Sequence, residues 1–156
     1  MIKNYGVCKF IIAIIIGFMF FACNKTGKQV EEEKLNEIWS AYKEDKDYSK
    51  VISLCSQLDL SKYTEAKLIL ADSYFVTGRG DEASALFLEL YKEIKATDEN
   101  YGLVVNKLGI YYADKKDWDN ARIYFAKAKA AGHPDAERNL QLMDIKEKEN
   151  AEKGSE

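Results

Sequence analysis

The sequence of 156 residues contains only one proline, one histidine and nine glycines, and this scarcity excludes several kinds of protein. Few turn-forming residues argue against a turn-rich β-protein, and no stretch sustains the apolar–polar alternation of a strand. His133 lies in a Gly-His-Pro turn, and no histidine–cysteine cluster has the spacing of metal ligands. Gly78 and Gly80 separate two helical patterns and do not form a phosphate loop. We therefore expect no catalytic residue, metal, cofactor or small-molecule substrate, and predict that the protein is not an enzyme.

The sequence also lacks an excess of basic charge. Its 23 lysines and arginines are outnumbered by 26 acidic residues, which gives a net charge of −3. Nucleic-acid binding usually needs a basic stripe that neutralises phosphates, and none is present. We do not expect a nucleic-acid partner.

The N-terminal segment has the composition of a signal peptide. Lys3 and Lys9 precede an uninterrupted apolar run over residues 10–22, which is followed by Cys23. As a helix this run would span roughly 20 Å, less than the ~30 Å hydrocarbon core of a bilayer. Residues 1–22 are therefore predicted to be a removable signal rather than a membrane span. An ordinary secretory signal remains an alternative, although no Ala-x-Ala cleavage pattern stands here.

Residues 20–23, Phe-Phe-Ala-Cys, resemble the lipobox of bacterial lipoproteins. The resemblance rests on the small residue Ala22 before Cys23, and it implies that Cys23 is lipidated and becomes the N-terminus. Residues 23–31 would then be a lipidated cysteine and a short tether, and the chain would be held on an envelope membrane, facing the periplasm or the cell surface. Asn24 is not the aspartate of an inner-membrane retention signal, which favours the outer membrane.

Cysteine is too scarce for a disulfide in the mature chain. Cys8 would leave with the signal and Cys23 would carry lipid, so Cys55 would remain alone. We expect Cys55 to be a small buried apolar residue, with a reactive thiol as the alternative.

The rest of the chain shows helical periodicity, punctuated by short breaks. The pattern predicts seven helices, and the polar residues 150–156 are predicted to be a frayed tail. Asp47 and Asp117 each precede an apolar periodic run and suit a helix N-cap, whereas Gly132 suits the position after a helix. The predicted helices cover residues 30–45, 48–58, 62–77, 81–96, 101–114, 118–131 and 135–149.

One spacing of small and aromatic residues occurs three times along these helices. It consists of an apolar–small pair, an aromatic residue three positions later, and then small, aromatic and small or apolar residues in the next helix. Small residues let two helix axes approach, and aromatic side chains fill the space beside the contact. The first copy, at Ile38-Trp39, is the loosest match. The repeat-packing residues are Tyr42, Ala71, Tyr74, Ala83, Phe87, Gly109, Tyr112, Ala121, Phe125 and Ala128.

This pattern resembles the tetratricopeptide repeat, and the stretch 127–140 also resembles the related Sel1-like repeat. The resemblance implies an all-α fold: a right-handed superhelix of about three helix–turn–helix repeats and a C-terminal capping helix. The repeat domain would cover residues 32–149. Its units would lie at about 32–63, 64–101 and 102–134, with the capping helix at 135–149.

In that family the first helices of the units line a concave groove that binds a protein or peptide. The groove residues implied here are Asn36, Lys43, Leu68, Asp72, Phe75, Leu103, Asn106 and Ile110. Asn36 and Asn106 would hydrogen-bond a peptide backbone, and the apolar members would form a binding strip. Alternatively, some of these side chains pack against the next helix.

These observations predict a membrane-anchored interaction module of the bacterial envelope that binds a protein or peptide of unknown identity. A structural subunit of an envelope assembly complex is the first alternative, and a hydrolase with an unrecognised site is the second.

Overall fold

The computed structural model describes residues 27–153, and this part of the chain contains seven α-helices and no strand. The contacts divide the chain into two units, residues 1–37 and residues 38–156. The described part of the first unit is the beginning of helix α1. The protein is therefore all-α over its described residues. The helices are α1 (Gly27–Ser40), α2 (Tyr48–Cys55), α3 (Thr64–Val76), α4 (Gly80–Glu93), α5 (Tyr101–Asp114), α6 (Trp118–Ala130) and α7 (Ala136–Lys153).

Short turns of defined backbone geometry connect several of these helices. The carboxylates of Asp47 and Asp117 accept hydrogen bonds from the backbone N–H of Lys50 and Asn120, which confirms the two predicted N-caps. Gly132 has a φ of +76°, as expected for the residue that ends a helix. Four turns have a residue with a positive, left-handed φ shortly after the end of the preceding helix. These residues are Lys46, Gly78, Lys116 and Gly132.

Lys116 is a lysine in a position that favours glycine, since its φ is 61°. We expect Lys116→Gly to raise the free energy of unfolding by about 0.5–1 kcal/mol, because relief of left-handed strain exceeds the entropy that glycine adds to the unfolded chain. Urea titration followed by circular dichroism measures the change. Ala130→Gly, at the end of α6, is the matched control and should lower stability by about 0.5–1 kcal/mol. Equal losses from both substitutions would contradict the strain at Lys116.

The core of the second unit is built between successive helices. One cluster, around Val51 and Leu70, joins residues 38–41 to α2 and α3. The next, around Phe87 and Leu108, joins α3, α4 and α5. Val105 and Ala128 pack with Ala136 across α5, α6 and α7, and Phe125 packs with Ala121 and Met143 between α6 and α7. Each helix from α3 to α6 therefore contributes apolar residues to helices on both sides of it.

Several helix ends differ from the prediction. Residues 27–31 of the predicted tether belong to helix α1, and a π-helical turn follows it at Ala41–Asp45. Helix α2 ends at Cys55, so a turn replaces its predicted last residues, and a 3₁₀ segment (Leu60–Lys62) follows. Helix α4 ends at Glu93, and residues 94–100 form a linker instead of a longer helix. Helix α7 continues to Lys153, so residues 150–153 of the predicted tail are helical.

Candidate functional site

A polar contact joins three helical segments of the second unit. The Tyr42 hydroxyl, in the π-helical turn, donates a hydrogen bond of 2.6 Å to Oδ2 of Asp72 on α3. Nζ of Lys107, on α5, lies 2.6 Å from the other Asp72 oxygen. The Lys107 and Asp72 side chains are only 18% and 15% exposed. We call Tyr42, Asp72 and Lys107 the A-helix cluster, because each lies on a segment predicted to be the first helix, or A helix, of a repeat unit. The three residues are 30 and 35 positions apart in sequence.

The charge of Asp72 governs the electrostatics of this cluster. Its Oδ1 atom is buried and makes no hydrogen bond of good geometry with any described residue, so the nearby ammonium of Lys107 balances it. Burial raises the pKa of Tyr42 well above its usual value, and the hydrogen bond to Asp72 raises it further. Tyr42 therefore stays protonated as a donor through the physiological range of pH.

Removal of this donor gives a testable pH dependence. A pKa that is higher in the folded chain contributes stability that is complete below the unfolded value, near 10, and is lost as pH rises through the folded value. Tyr42→Phe should therefore lower the free energy of unfolding by about 1.5 kcal/mol at pH 8. The difference from the wild type should shrink above pH 10. Urea titrations at several pH values measure it, and a difference that stays constant above pH 10 would contradict the assignment.

Apolar side chains flank the A-helix cluster. The ring of Phe75 lies under the Lys107 ammonium, with Nζ 4.4 Å from the ring centroid. Leu68 and Phe75 are half-buried and also pack against the core cluster around Phe87, so each has only part of its surface free. Leu103 is half-buried on α5. The resulting face of α3 and α5 is mixed, with one ion pair beside three partly exposed apolar side chains.

The remaining predicted groove residues have different surroundings. Lys43 is exposed, and its ammonium lies 4.3 Å from the centroid of the Trp39 ring. Asn36 is exposed on the part of α1 that belongs to the first unit. Asn106 is only 4% exposed, and its side-chain oxygen accepts a hydrogen bond from Nδ2 of Asn139 on α7. Asn106 is thus already used inside the chain, which differs from the peptide-binding role predicted for it.

Ile110 lies at a small cavity between α5, α6 and α7. The cavity has a volume of about 100 Å³ and is lined mainly by apolar residues, among them Phe125, Leu142 and Met143. It holds the volume of a few methyl groups, so it suits the tip of one side chain rather than a whole small molecule.

The residues predicted to pack the repeats lie at helix–helix contacts. A Cβ atom added to Gly109 would lie 2.5 Å from Cδ1 of Phe125, so α5 and α6 approach as closely as a glycine allows. The Tyr112 ring stacks on Tyr124 with centroids 5.3 Å apart. Tyr74 is half-buried and lies against the core clusters on both sides of α3. The members that are 2% exposed or less are Ala71, Ala83, Phe87, Ala121, Phe125 and Ala128.

Chemistry-bearing side chains are sparse in the described part of the chain. Residues 27–153 contain no group of three histidine, cysteine or acidic side chains that could hold a metal ion. His133 accepts a hydrogen bond at Nδ1 from the backbone N–H of Asp135, as a turn histidine does. Cys55 is 1% exposed, and burial raises the pKa of its thiol to about 11. A thiol in this state is a poor nucleophile at neutral pH.

Lys107, Lys67 and Asn139 make contacts that the sequence pattern did not assign. Lys67, on α3, is 6% exposed, and its ammonium binds both carboxylate oxygens of Glu93, on α4, at 2.8 and 2.9 Å. These partners are 26 or more residues apart and share no spacing that a single sequence would reveal.

Cys23 and the apolar residues before it lie outside the described residues. Among the described helices, none combines the length and apolar character needed to cross a bilayer. No protein-family model, curated protein or solved structure that was compared with the chain matches it.

Proposed function

We propose that the chain is a membrane-anchored interaction module of the bacterial envelope, which binds a protein or peptide on the face formed by α3 and α5. The observation that carries the proposal is the mixed character of this face. Phe75 and Leu103 offer partly exposed apolar surface, and the Asp72–Lys107 pair beside them offers groups that orient a polar backbone.

The proposal includes a right-handed superhelix of tetratricopeptide-like units. Three observations support it: successive helices share core clusters, alanine or glycine occupies the closest contacts, and α5 contacts both α3 and α7. In such a stack each unit buries its face on its neighbours. The first helices of the units then form one continuous surface for recognition.

The anchor in this proposal is lipid on Cys23. The position of Cys23 directly after a small residue and an apolar run supports it. Growth with labelled palmitate should label the full chain, and Cys23→Ala should abolish both the label and recovery in the membrane fraction. Labelling that survives Cys23→Ala would refute the anchor but leave the binding face untouched.

Partner capture tests the binding face. The full chain, with a C-terminal tag, is expressed in the bacterium that encodes it, cross-linked and extracted in mild detergent. We expect Leu103→Glu and Phe75→Glu each to lose a partner that the wild type retains, because each places an acid in the apolar surface. Val76→Glu is the matched control, since Val76 is adjacent to Phe75 and is 49% exposed.

The outcomes distinguish the two binding hypotheses. A partner lost with Leu103→Glu and Phe75→Glu, but kept with Val76→Glu, supports recognition on the α3–α5 face. A partner kept by all variants would overturn this site and favour a structural subunit that binds through another surface. Circular dichroism of each variant ensures that a loss of binding is not a loss of fold.

A further inference from the structure

Helix α7 carries two large apolar side chains with about half of their surface exposed, one of which, Leu142, also borders the cavity near Ile110. Leu142 and Ile145 are 45% and 53% exposed, whereas Met143, between them in sequence, is 2% exposed and packs on Ala121 and Phe125. The other strongly exposed large apolar side chains of the second unit, Val76 and Ile123, lie on other helices.

A basic and an acidic residue flank this pair along the same helix face. Arg138, Leu142, Ile145 and Glu149 follow one another at intervals of four, three and four residues, which places them in one stripe. We call these four residues the α7 stripe. Arg138 and Glu149 are exposed, and neither makes an ion pair with another described residue.

The other acidic residues near the middle of α7 are already neutralised within the chain. Asp144 and Glu147 each accept a 2.7 Å hydrogen bond from Arg122 on α6. Asp144 and Glu147 are therefore paired with α6, whereas the two charged residues of the α7 stripe are not.

The order of residues along the α7 stripe matches that of a second copy only when the two helices are antiparallel. Its intervals read the same in both directions, so two antiparallel copies align residue for residue. Leu142 then faces Ile145 of the second copy, and Arg138 faces Glu149. A parallel pair would instead oppose arginine to arginine and glutamate to glutamate, which is unfavourable.

We propose that the α7 stripe is a self-association surface, through which two copies of this chain pair by antiparallel contact of their α7 helices. The helix is about 27 Å long and brings only two large apolar side chains per copy to the contact. Such a surface is small for a permanent dimer, so the pairing is weak and reversible. This proposal does not depend on the binding face of α3 and α5.

A photo-cross-linker captures such a weak contact. Benzoyl-phenylalanine is placed at Gln141, which is exposed beside the α7 stripe, and the full chain is irradiated in cell membranes. We expect an adduct with twice the mass of the uncross-linked chain in the same membranes. Co-expression of two differently tagged copies shows whether both tags are present in it.

Charge reversal then tests the antiparallel alignment. Arg138→Glu alone and Glu149→Arg alone should each reduce the adduct at least fivefold, because each opposes like charges. The double variant, Arg138→Glu with Glu149→Arg, should restore it. Lys92→Glu, a charge reversal at an exposed residue of α4, is the matched control and should leave the adduct unchanged.

Three results would overturn the proposal. They are the absence of an adduct containing both tags, an adduct that the single reversals leave intact, and a double variant that remains as weak as either single variant. An adduct with a different protein would assign the α7 stripe to that partner instead. Melting curves of every variant separate a lost contact from a lost fold.

Discussion

Replacement of Phe87 by alanine is expected to lower the free energy of unfolding by about 3–5 kcal/mol, the range for a large aromatic residue removed from a core. Phe87 is 1% exposed and is the bulkiest of the fully buried side chains in the described part of the chain. Its cluster contains Ala71 from α3 and Val104 and Leu108 from α5. The cavity would therefore weaken the contacts of three helices at once.

The comparison with Phe75 makes this prediction specific. Phe75 is also a phenylalanine, but it is half-buried beside Lys107, so Phe75→Ala should cost less than half as much. Urea titration of the full chain in detergent, followed by circular dichroism, gives both values. Equal losses at the two positions would contradict the central role of the Phe87 cluster. Because domains are stable by only about 5–15 kcal/mol, Phe87→Ala should also reduce the yield of folded protein.

Gly109→Ala is expected to destabilise the chain by about 1–3 kcal/mol, although alanine favours a helix over glycine by about 1 kcal/mol. The new Cβ would lie 2.5 and 2.6 Å from two carbons of the Phe125 ring, which is itself only 2% exposed and has little room to move. Gly80→Ala is the control, because the nearest atom to its added Cβ is 3.9 Å away. Gly80→Ala should leave stability unchanged or raise it slightly.

A double-mutant cycle assigns the effect to the Phe125 ring. In a Phe125→Ala background the ring is absent, so Gly109→Ala should become neutral or stabilising. The same thermal or urea measurements provide the coupling between the two positions. A Gly109→Ala penalty that persists without the ring would place its cause in the α5 backbone instead.

Local features of the fold were accessible from the sequence. Asp47 and Asp117 could be predicted as N-caps because their side chains accept hydrogen bonds from backbone N–H groups only three residues away. The position of Gly132 after a helix could be predicted for a similar reason, since its left-handed backbone conformation is favoured by its own lack of a side chain. The early end of α2 could not be predicted from the sequence pattern. Apolar residues continue beyond Cys55 at Leu58 and Leu60, and a turn and a 3₁₀ segment place them against the core without a longer helix.

The candidate site depended on which helix lies opposite which, and a repeat spacing does not give that. The position of Asp72 on α3 was anticipated, but its pairing with both Tyr42 and Lys107 follows from the register of three helical segments. Asn106 shows the same limit, since only the placement of α7 reveals that Asn139 occupies its side-chain oxygen. A single sequence specifies the face of each helix more directly than the partner of that face.

The burial of Cys55 makes this thiol an internal reporter of motion. Its sulfur lies 3.9 Å from the carbonyl oxygen of Ala66, at the contact between α2 and the start of α3. An alkylating reagent can reach it only when these elements separate, and the high pKa keeps the thiol protonated until then. The alkylation rate of Cys55 at neutral pH would therefore measure how often α2 and the start of α3 separate, without an engineered substitution in the chain.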